Sequence, residues 1–105
     1  MRGYVSLFDN IVFVEGAAEE ARMLAPVKVD LSFKIGAHFK NLNDVKLSLA
    51  EQCRNSGGNC VCNFKYGQKS RWLAIDDVAY FGDGSACVLS EDDYRLAIEK
   101  VQNRK

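Results

Sequence analysis

The sequence predicts an α+β fold, a single domain in which a mixed or mainly antiparallel sheet is covered on one side by helices. Some segments alternate apolar and polar residues, as strands do, whereas others space apolar residues three and four apart, as helices do. Neither a linker nor an internal repeat divides the 105 residues, and one hydrophobic core can serve a chain of that length. We therefore expect residues 1–105 to fold as one domain.

The first third of the chain is predicted to run strand, helix, strand. Asn10 to Val14 is a short apolar run typical of a buried strand, and Glu15 to Leu24 is rich in helix formers up to Pro26. Val27 to Ile35 then alternates apolar and polar residues over nine positions, which indicates a strand with one buried face.

The middle of the chain predicts a helix that gives way to a strand. The helix can be capped by Asn41 or by Asn43, and it places Leu42, Val45, Leu49 and Cys53 on one side. It ends where Gly57 or Gly58 can adopt a left-handed conformation. Cys60 to Tyr66 follows as a strand. Its alternation predicts that one face carries Cys60, Cys62, Phe64 and Tyr66.

The last third predicts more strands. Gly67 to Ser70 has turn chemistry, and Arg71 to Phe81 reads as a strand with Asp76-Asp77 as a candidate bulge. Gly82 to Ser85 is open to two interpretations, a tight hairpin turn or a glycine-rich bulge. Ala86 to Leu89 is the final predicted strand.

A helix is predicted to close the chain, because Ser90 and Asp93 are spaced as in a capping box. Its inner stripe comprises Tyr94, Ala97, Ile98 and Val101. The predicted order of elements is β-α-β-α-β-β-β-α.

Charge and hydropathy exclude several classes of partner. Fourteen Lys and Arg balance fourteen Asp and Glu, so no net field favours nucleic acid. The longest apolar run, Ile11 to Val14, is far shorter than a membrane span, and the N-terminus lacks the pattern of a secretory signal. These features predict a cytoplasmic protein with no nucleic-acid or membrane partner, in which the cysteines are reduced.

The cysteines raise the main chemical question in the sequence. Cys60 and Cys62 project to one face of a strand, and Cys87 lies on a later strand that could neighbour it. Three thiolates there could hold zinc or copper, with His38 as a distant fourth ligand. A Cys-x-Cys pair inside a strand lacks the geometry of a zinc knuckle, however, and free cysteine behaves as a small buried hydrophobe. Core packing without a cofactor is the favoured interpretation.

No catalytic constellation is evident in the sequence. A small hydrolase would have to use His38 with Asp76 or Asp77, but adjacent residues on a strand point to opposite faces. Trp72 and Tyr66 are aromatic residues near the predicted turn, and they become candidate interface anchors if they are half exposed.

A resemblance to a known family rests on residues 42–89. The run from Ser56 to Gly67, then Trp72, then Gly82-x-Gly84-Ser85-Ala86-Cys87-Val88-Leu89, resembles the YbjQ-like small bacterial proteins, a group labelled as heavy-metal-binding. The resemblance implies a compact α+β fold that often forms a homo-oligomeric ring, and it carries over no catalytic residue. Residues 1–24 depart from the pattern of that group.

Three functional hypotheses follow. The leading one is a non-enzymatic, self-associating or binding module with no cofactor and no identified ligand. The alternatives are a thiolate metal-binding protein that uses Cys60, Cys62 and Cys87, and a small hydrolase-like enzyme.

Overall fold

A computed structural model describes residues 3–31, 42–70 and 78–103 of the chain. They form a five-stranded sheet in the order β1-β2-β4-β5-β3, with two helices. The elements are β1 (Val5–Phe8), β2 (Ile11–Val14), β3 (Arg22–Asp30), α1 (Leu42–Asn55), β4 (Cys60–Ser70), β5 (Val78–Val88) and α2 (Glu91–Gln102). Only β2 and β4 pair in parallel, so the α+β fold with a mixed sheet is confirmed.

The two helices lie on opposite faces of the sheet, whereas the sequence predicted that they would share one side. Ile11 and Phe13 belong to a core beneath α1, and Val12 and Val14 belong to a second core that includes Ala97 of α2. All four residues of β2 are buried. Because successive side chains on a strand point to opposite faces, a strand that is apolar at every position needs cover on both.

The β1–β2 hairpin is held from both sides. Its two-residue turn places Asp9 at φ 53° and Asn10 at φ 64°, the left-handed conformation that tight hairpin turns require. Arg54 of α1 contacts the carboxylate of Asp9 at 2.9 Å, and the hydroxyl of Tyr94 in α2 donates to the backbone carbonyl of Asn10. Each helix is thereby attached to the same turn.

The helix predicted over Glu15–Leu24 does not form, because β3 already begins at Arg22. Intrinsic helix propensity is a weak signal, and here the pairing of β3 with β5 from Arg22↔Val88 to Asp30↔Phe81 overrides it. Pro26 does not end this strand, because β3 is at the edge of the sheet and an edge strand can lack an outward donor. The predicted strand from Val27 is confirmed through Asp30.

Helix α1 ends where the sequence predicted, and it begins at Leu42, the earlier of the two starts that the sequence allowed. Val45, Leu49, Ala50 and Cys53 are its buried residues, and Gly57 has φ 86°. The N–H of Gly57 donates to the carbonyl of Arg54, and the N–H of Gly58 donates to the carbonyl of Cys53. These two bonds satisfy the last carbonyls of the helix and turn the chain into β4.

A bulge in β4 corrects the predicted face of Phe64. Asn63 has φ 53°, and the register with β5 shifts between Cys62 and Lys65. The extra residue turns the strand over, so Cys60 and Cys62 pack in the core on the α2 side while Phe64 packs in the core on the α1 side. The two cysteines therefore do not share a face with Phe64.

Strands β4 and β5 are longer than the sequence predicted. The segment predicted as a turn, Gly67 to Ser70, continues β4 and pairs with β5 as far as Val78. Gly82 to Ser85 is neither a turn nor a bulge, since it lies inside β5 and pairs with β3 and β4. Glycine composition suggested a break here, but a Cβ at Gly82 would lie 2.5 Å from Cγ1 of Val45, so this glycine lets α1 approach the sheet.

Helix α2 confirms the predicted C-terminal helix. The hydroxyl of Ser90 accepts a hydrogen bond from the N–H of Asp93, and Ala97 is buried, with Tyr94 and Val101 packed around the same core.

Several predicted features lie outside the described residues. They are the strand beyond Leu31, His38, the segment Arg71–Ala74 with Trp72, and Asp76-Asp77.

Candidate functional site

Three of the four cysteines lie together on the α2 side of the sheet. The sequence had predicted a shared face for Cys60 and Cys62 and left open whether the strand of Cys87 would be their neighbour. Cys60 and Cys87 are direct partners on neighbouring strands, and Cys62 is two residues along β4 from Cys60. All three are fully buried in the same core. Cys53, also fully buried, lies in the core on the α1 side.

The sulfur atoms make short-range contacts within this region. The Cys87 Sγ lies 3.4 Å from the carbonyl oxygen of Cys60, and the Cys53 Sγ lies 3.2 Å from the same oxygen. The Cys62 Sγ lies 3.5 Å from the Sδ of Met23, whose side chain is 51% exposed. Sequence reasoning missed Met23, because it assigned that residue to a helix. Its register pair with Cys87 brings it to the thiols.

The pKa values of three of the four thiols, those of Cys53, Cys62 and Cys87, are raised, which favours their protonated form. Desolvation raises the pKa of Cys62 to about 11 and also raises the pKa of Cys53. Interaction with the Cys60 side chain, followed by burial, raises the pKa of Cys87 far above its usual range. Since the thiolate is the nucleophile and the metal ligand, these groups are poorly reactive in the folded chain.

A metal site requires several ligand side chains that point at the same ion. Across residues 3–31, 42–70 and 78–103, no three or more His, Cys, Asp or Glu side chains are placed to hold a metal ion. The three cysteines share a face and a core, and His38, the fourth candidate, is outside those ranges.

A different kind of site lies along the outer edge of β4. Strand β2 pairs with β4 only at Val12↔Cys60 and Phe13↔Val61, and the N–H of Asn63 donates to the carbonyl of Gly16 at 2.8 Å. Beyond this point, residues 65–70 of β4 pair with β5 on one side. Among the described residues, no strand lies along the other side of that segment. We call residues 65–70 the distal segment of β4.

Tyr66 lies in the distal segment and is 45% exposed. Its ring stacks on that of Phe64 with centroids 5.2 Å apart, and the Phe64 ring lies 5.0 Å from that of Phe13. Tyr66 is thus the exposed end of an aromatic row that continues into the core. The second predicted interface residue, Trp72, is outside the described residues.

Membrane-spanning helices were sought in the described part of the chain. Neither α1 nor α2 has the length and hydropathy needed to cross a membrane.

Comparison with known proteins yields one structural likeness. No protein-family model and no curated protein matches the chain. Its fold is similar to the crystal structure of a protein of unknown function of the DUF74 family from Pediococcus pentosaceus, with a TM-score of 0.53 and 12% sequence identity. The likeness covers 76% of this chain and 98% of that one, and at this identity it shows the fold alone.

Proposed function

We propose that this protein is a non-enzymatic module that self-associates, with the distal segment of β4 and the ring of Tyr66 at the interface. The observation that carries the proposal is that a half-exposed tyrosine lies on the distal segment of β4, which has a strand on only one side among the described residues. A single exposed aromatic residue is ordinary on a protein surface. Its position beside an open strand edge makes it suited to an interface.

The physical character of Tyr66 supports this role. Tyrosine buries a large apolar ring with little loss of conformational freedom, and it is enriched among the residues that dominate binding energy. Here the ring is already stacked on Phe64, so little further ordering is needed when a partner covers it. The resemblance of residues 42–89 to YbjQ-like proteins implies homo-oligomers as well.

Native mass spectrometry over a range of protein concentrations tests this proposal. We expect the wild-type protein to be an oligomer, and we expect Tyr66→Ser to weaken the assembly. Leu96→Ser is the matched control, because Leu96 is 58% exposed on α2 and its truncation should leave the oligomer intact. Trp72→Ser extends the test to the second interface residue predicted from the sequence. A wild-type protein that is monomeric at every concentration would overturn the proposal.

Binding of zinc or copper by Cys60, Cys62 and Cys87 is the second candidate function, and it would require these side chains to move, since they are not placed to hold an ion together in this structure. The contact between Cys62 and the exposed Met23 favours it, because thioether and thiolate sulfur together suit a soft ion such as Cu(I). The ion would have to displace the protons of Cys62 and Cys87, whose pKa values are raised, so loading should release protons and the affinity should strengthen with pH.

The same spectra test the metal hypothesis. A stoichiometric bound ion that is lost in a Cys60→Ser, Cys62→Ser variant would establish it. A wild-type protein that carries no ion after incubation with Cu(I) or Zn²⁺ would refute it.

A further inference from the structure

We propose that Cys60 and Cys87 form a reversible oxidation site, a cross-strand disulfide that joins β4 to β5 when a peroxide reaches the core on the α2 side. Both residues are free thiols and fully buried in this structure. The site does not depend on the proposed self-association, because neither cysteine lies in the distal segment of β4.

The backbone places the two cysteines directly opposite each other. The carbonyl of Asn59 accepts from the N–H of Val12 in β2, so the carbonyl of the next residue, Cys60, turns the other way, toward β5. The carbonyl of Cys87 accepts from the N–H of Asn59 and therefore turns toward β4. Cys60 and Cys87 are thus a hydrogen-bonded antiparallel pair, in which the Cα atoms lie about 5.5 Å apart. Disulfides most often join Cα atoms at about that separation.

The two side chains share a face and interact. Both belong to the core on the α2 side, as expected for directly opposite residues on paired strands. The Cys87 thiol interacts with the side chain of Cys60, and this interaction is the first cause of the raised pKa of Cys87. The fold itself therefore brings the two reacting groups together.

The other pairings of cysteines are less suited to a bond. Cys62 is opposite Ser85, so it is diagonal to Cys87, and diagonal neighbours lie about 7–8 Å apart, beyond the reach of a disulfide without backbone movement. Cys60 and Cys62 are two residues apart on one strand, about 6.7 Å, which is at the far end of the range for a disulfide. Cys53 packs in the core on the opposite face of the sheet.

The geometry of a sheet also makes the bond easy to reverse. The Cβ atoms of directly opposite residues are about 4.5–5.5 Å apart, whereas those of a disulfide are about 3.8 Å apart. The bond must therefore draw the two strands together by about 1 Å, and it retains strain. Strained disulfides are the ones that thiol reductants open readily.

Hydrogen peroxide can supply the oxidation without a further reactant. One cysteine, as its thiolate, attacks a peroxide oxygen, the O–O bond breaks, and a sulfenic acid and a water form. The thiol of the second cysteine attacks the sulfenic sulfur, the S–OH bond breaks, and a second water leaves. Two electrons thus pass from the two thiols to one peroxide, which becomes two waters, and an S–S bond replaces two S–H bonds.

The cover over the thiols controls this reaction. Buried and protonated thiols are unreactive, so the core must open before a peroxide can react. Helix α2, which the structure describes in full, buries one residue, Ala97, and the hydroxyl of its Tyr94 donates to the carbonyl of Asn10. An element with so few buried contacts opens more often than the whole domain unfolds. We therefore expect oxidation to occur through local opening of α2.

The disulfide would also change the candidate metal site. It occupies two of the three thiols, those of Cys60 and Cys87, and leaves Cys62 alone on that face. Since the thiolate is the ligand, the oxidised protein is expected to bind neither zinc nor copper there.

Mass spectrometry of the reduced, metal-free protein, before and after treatment with hydrogen peroxide, tests the site. We expect two of the four thiols to be lost, a disulfide between residues 60 and 87 in a non-reducing peptide map, and recovery of both thiols with dithiothreitol. Oxidation of the exposed Met23 adds an oxygen atom instead and is distinguished by mass.

Alanine variants assign the bond. Cys60→Ala and Cys87→Ala should each abolish the intramolecular disulfide. Cys62→Ala is the matched control, because Cys62 lies on the same strand as Cys60 and is buried in the same core, and this variant should form the disulfide as the wild type does. Circular dichroism reports whether each variant is folded.

The rate of oxidation tests the role of α2. Tyr94→Phe removes the hydrogen bond to Asn10 and keeps the ring, so it should raise the rate about two- to tenfold, the factor that corresponds to one hydrogen bond. Leu96→Ala is the control, because Leu96 is exposed on the same helix and should leave the rate unchanged.

Three outcomes would overturn the proposal. They are four free thiols after peroxide treatment of the wild type, a disulfide that persists in Cys60→Ala, and a bond that forms only between two chains. Oxidation at the wild-type rate in folded Tyr94→Phe would overturn the part assigned to α2 and leave the disulfide standing.

Discussion

At the scale of the residue, Gly82 shows how one missing side chain positions a helix. A Cβ at this position would lie 2.5 Å from Cγ1 of Val45 and 3.5 Å from Cδ1 of Leu49, both on α1. Two carbon atoms do not approach to 2.5 Å, whereas 3.5 Å is an ordinary contact, so it is Val45 of α1 that packs against the bare backbone of β5 at this point. In the sequence, the composition of Gly82 to Ser85 suggested a turn or a bulge, because a close approach by a residue 37 positions earlier leaves no local signal.

Gly82→Ala is expected to destabilise the protein by about 1–3 kcal/mol, the usual cost of overpacking a well-filled core. The added methyl must push α1 away from the sheet or force Val45 out of its rotamer. Urea unfolding followed by circular dichroism measures the free energy of unfolding.

The double variant Gly82→Ala, Val45→Ala checks the cause. Removing the Val45 methyl groups makes room for the new Cβ, so the double variant should cost less than the sum of the two single variants by about 0.5 kcal/mol or more. Strictly additive effects would mean that the cost arises elsewhere in β5.

At the scale of the element, the bulge at Asn63 decides which residues meet. The hydrophobic pattern of β4 predicted the strand itself but placed Phe64 beside the cysteines. The alternation of apolar and polar residues predicts the face of each side chain only while the strand has no bulge. An asparagine inside a strand does not by itself indicate a left-handed φ, which Asn63 has. The inner face and the end of α1 were predictable for the opposite reason, since apolar spacing and glycine chemistry are local signals.

Substitutions at Asn63 should separate the role of its backbone from that of its side chain. Asn63→Gly is expected to be nearly neutral, because glycine adopts φ 53° without strain, whereas Asn63→Val should cost about 1–2 kcal/mol. The Asn63 side chain lies 3.8 Å from the Cys62 sulfur, a weak contact whose loss matters little. Thermal unfolding measures the difference in stability between the two variants. Equal melting temperatures would contradict the prediction that a left-handed φ at position 63 disfavours valine.

At the scale of the whole molecule, the candidate interface arises from topology. Within residues 3–31, 42–70 and 78–103, no strand lies along the outer side of the distal segment of β4, because β2 is short and ends its pairing at Val61. At the far edge of the sheet, Gln52 of α1 binds the backbone of Lys28 in β3. The sequence placed Tyr66 on a strand and proposed it as an interface residue, but strand order cannot be read from periodicity. The edge of β3 is covered by a contact between Gln52 and Lys28, which are 24 positions apart in the sequence. Such a contact can be recognised only in the folded sheet.

The buried thiols make the stability of the whole domain depend on pH. The pKa of Cys62 is raised from 9.0 to about 11 by burial, and the pKa values of Cys53 and Cys87 are raised in the same direction. Between pH 9.0 and about pH 11, the Cys62 thiol releases its proton in the unfolded chain and retains it in the folded chain. The contribution of this thiol to stability is therefore complete below pH 9.0 and is lost as the pH rises toward 11.

Comparison with Cys62→Ala isolates this effect from the titration of lysine and tyrosine. The difference in the free energy of unfolding between the wild type and Cys62→Ala should be constant from about pH 6 to pH 8 and should narrow above about pH 9, since only the wild type carries the titrating group. Urea unfolding of both proteins in the presence of a reducing agent measures this difference at each pH. A difference that stays constant up to pH 10.5 would mean that the folded chain releases its proton at the ordinary pKa, and hence that water reaches the Cys62 sulfur.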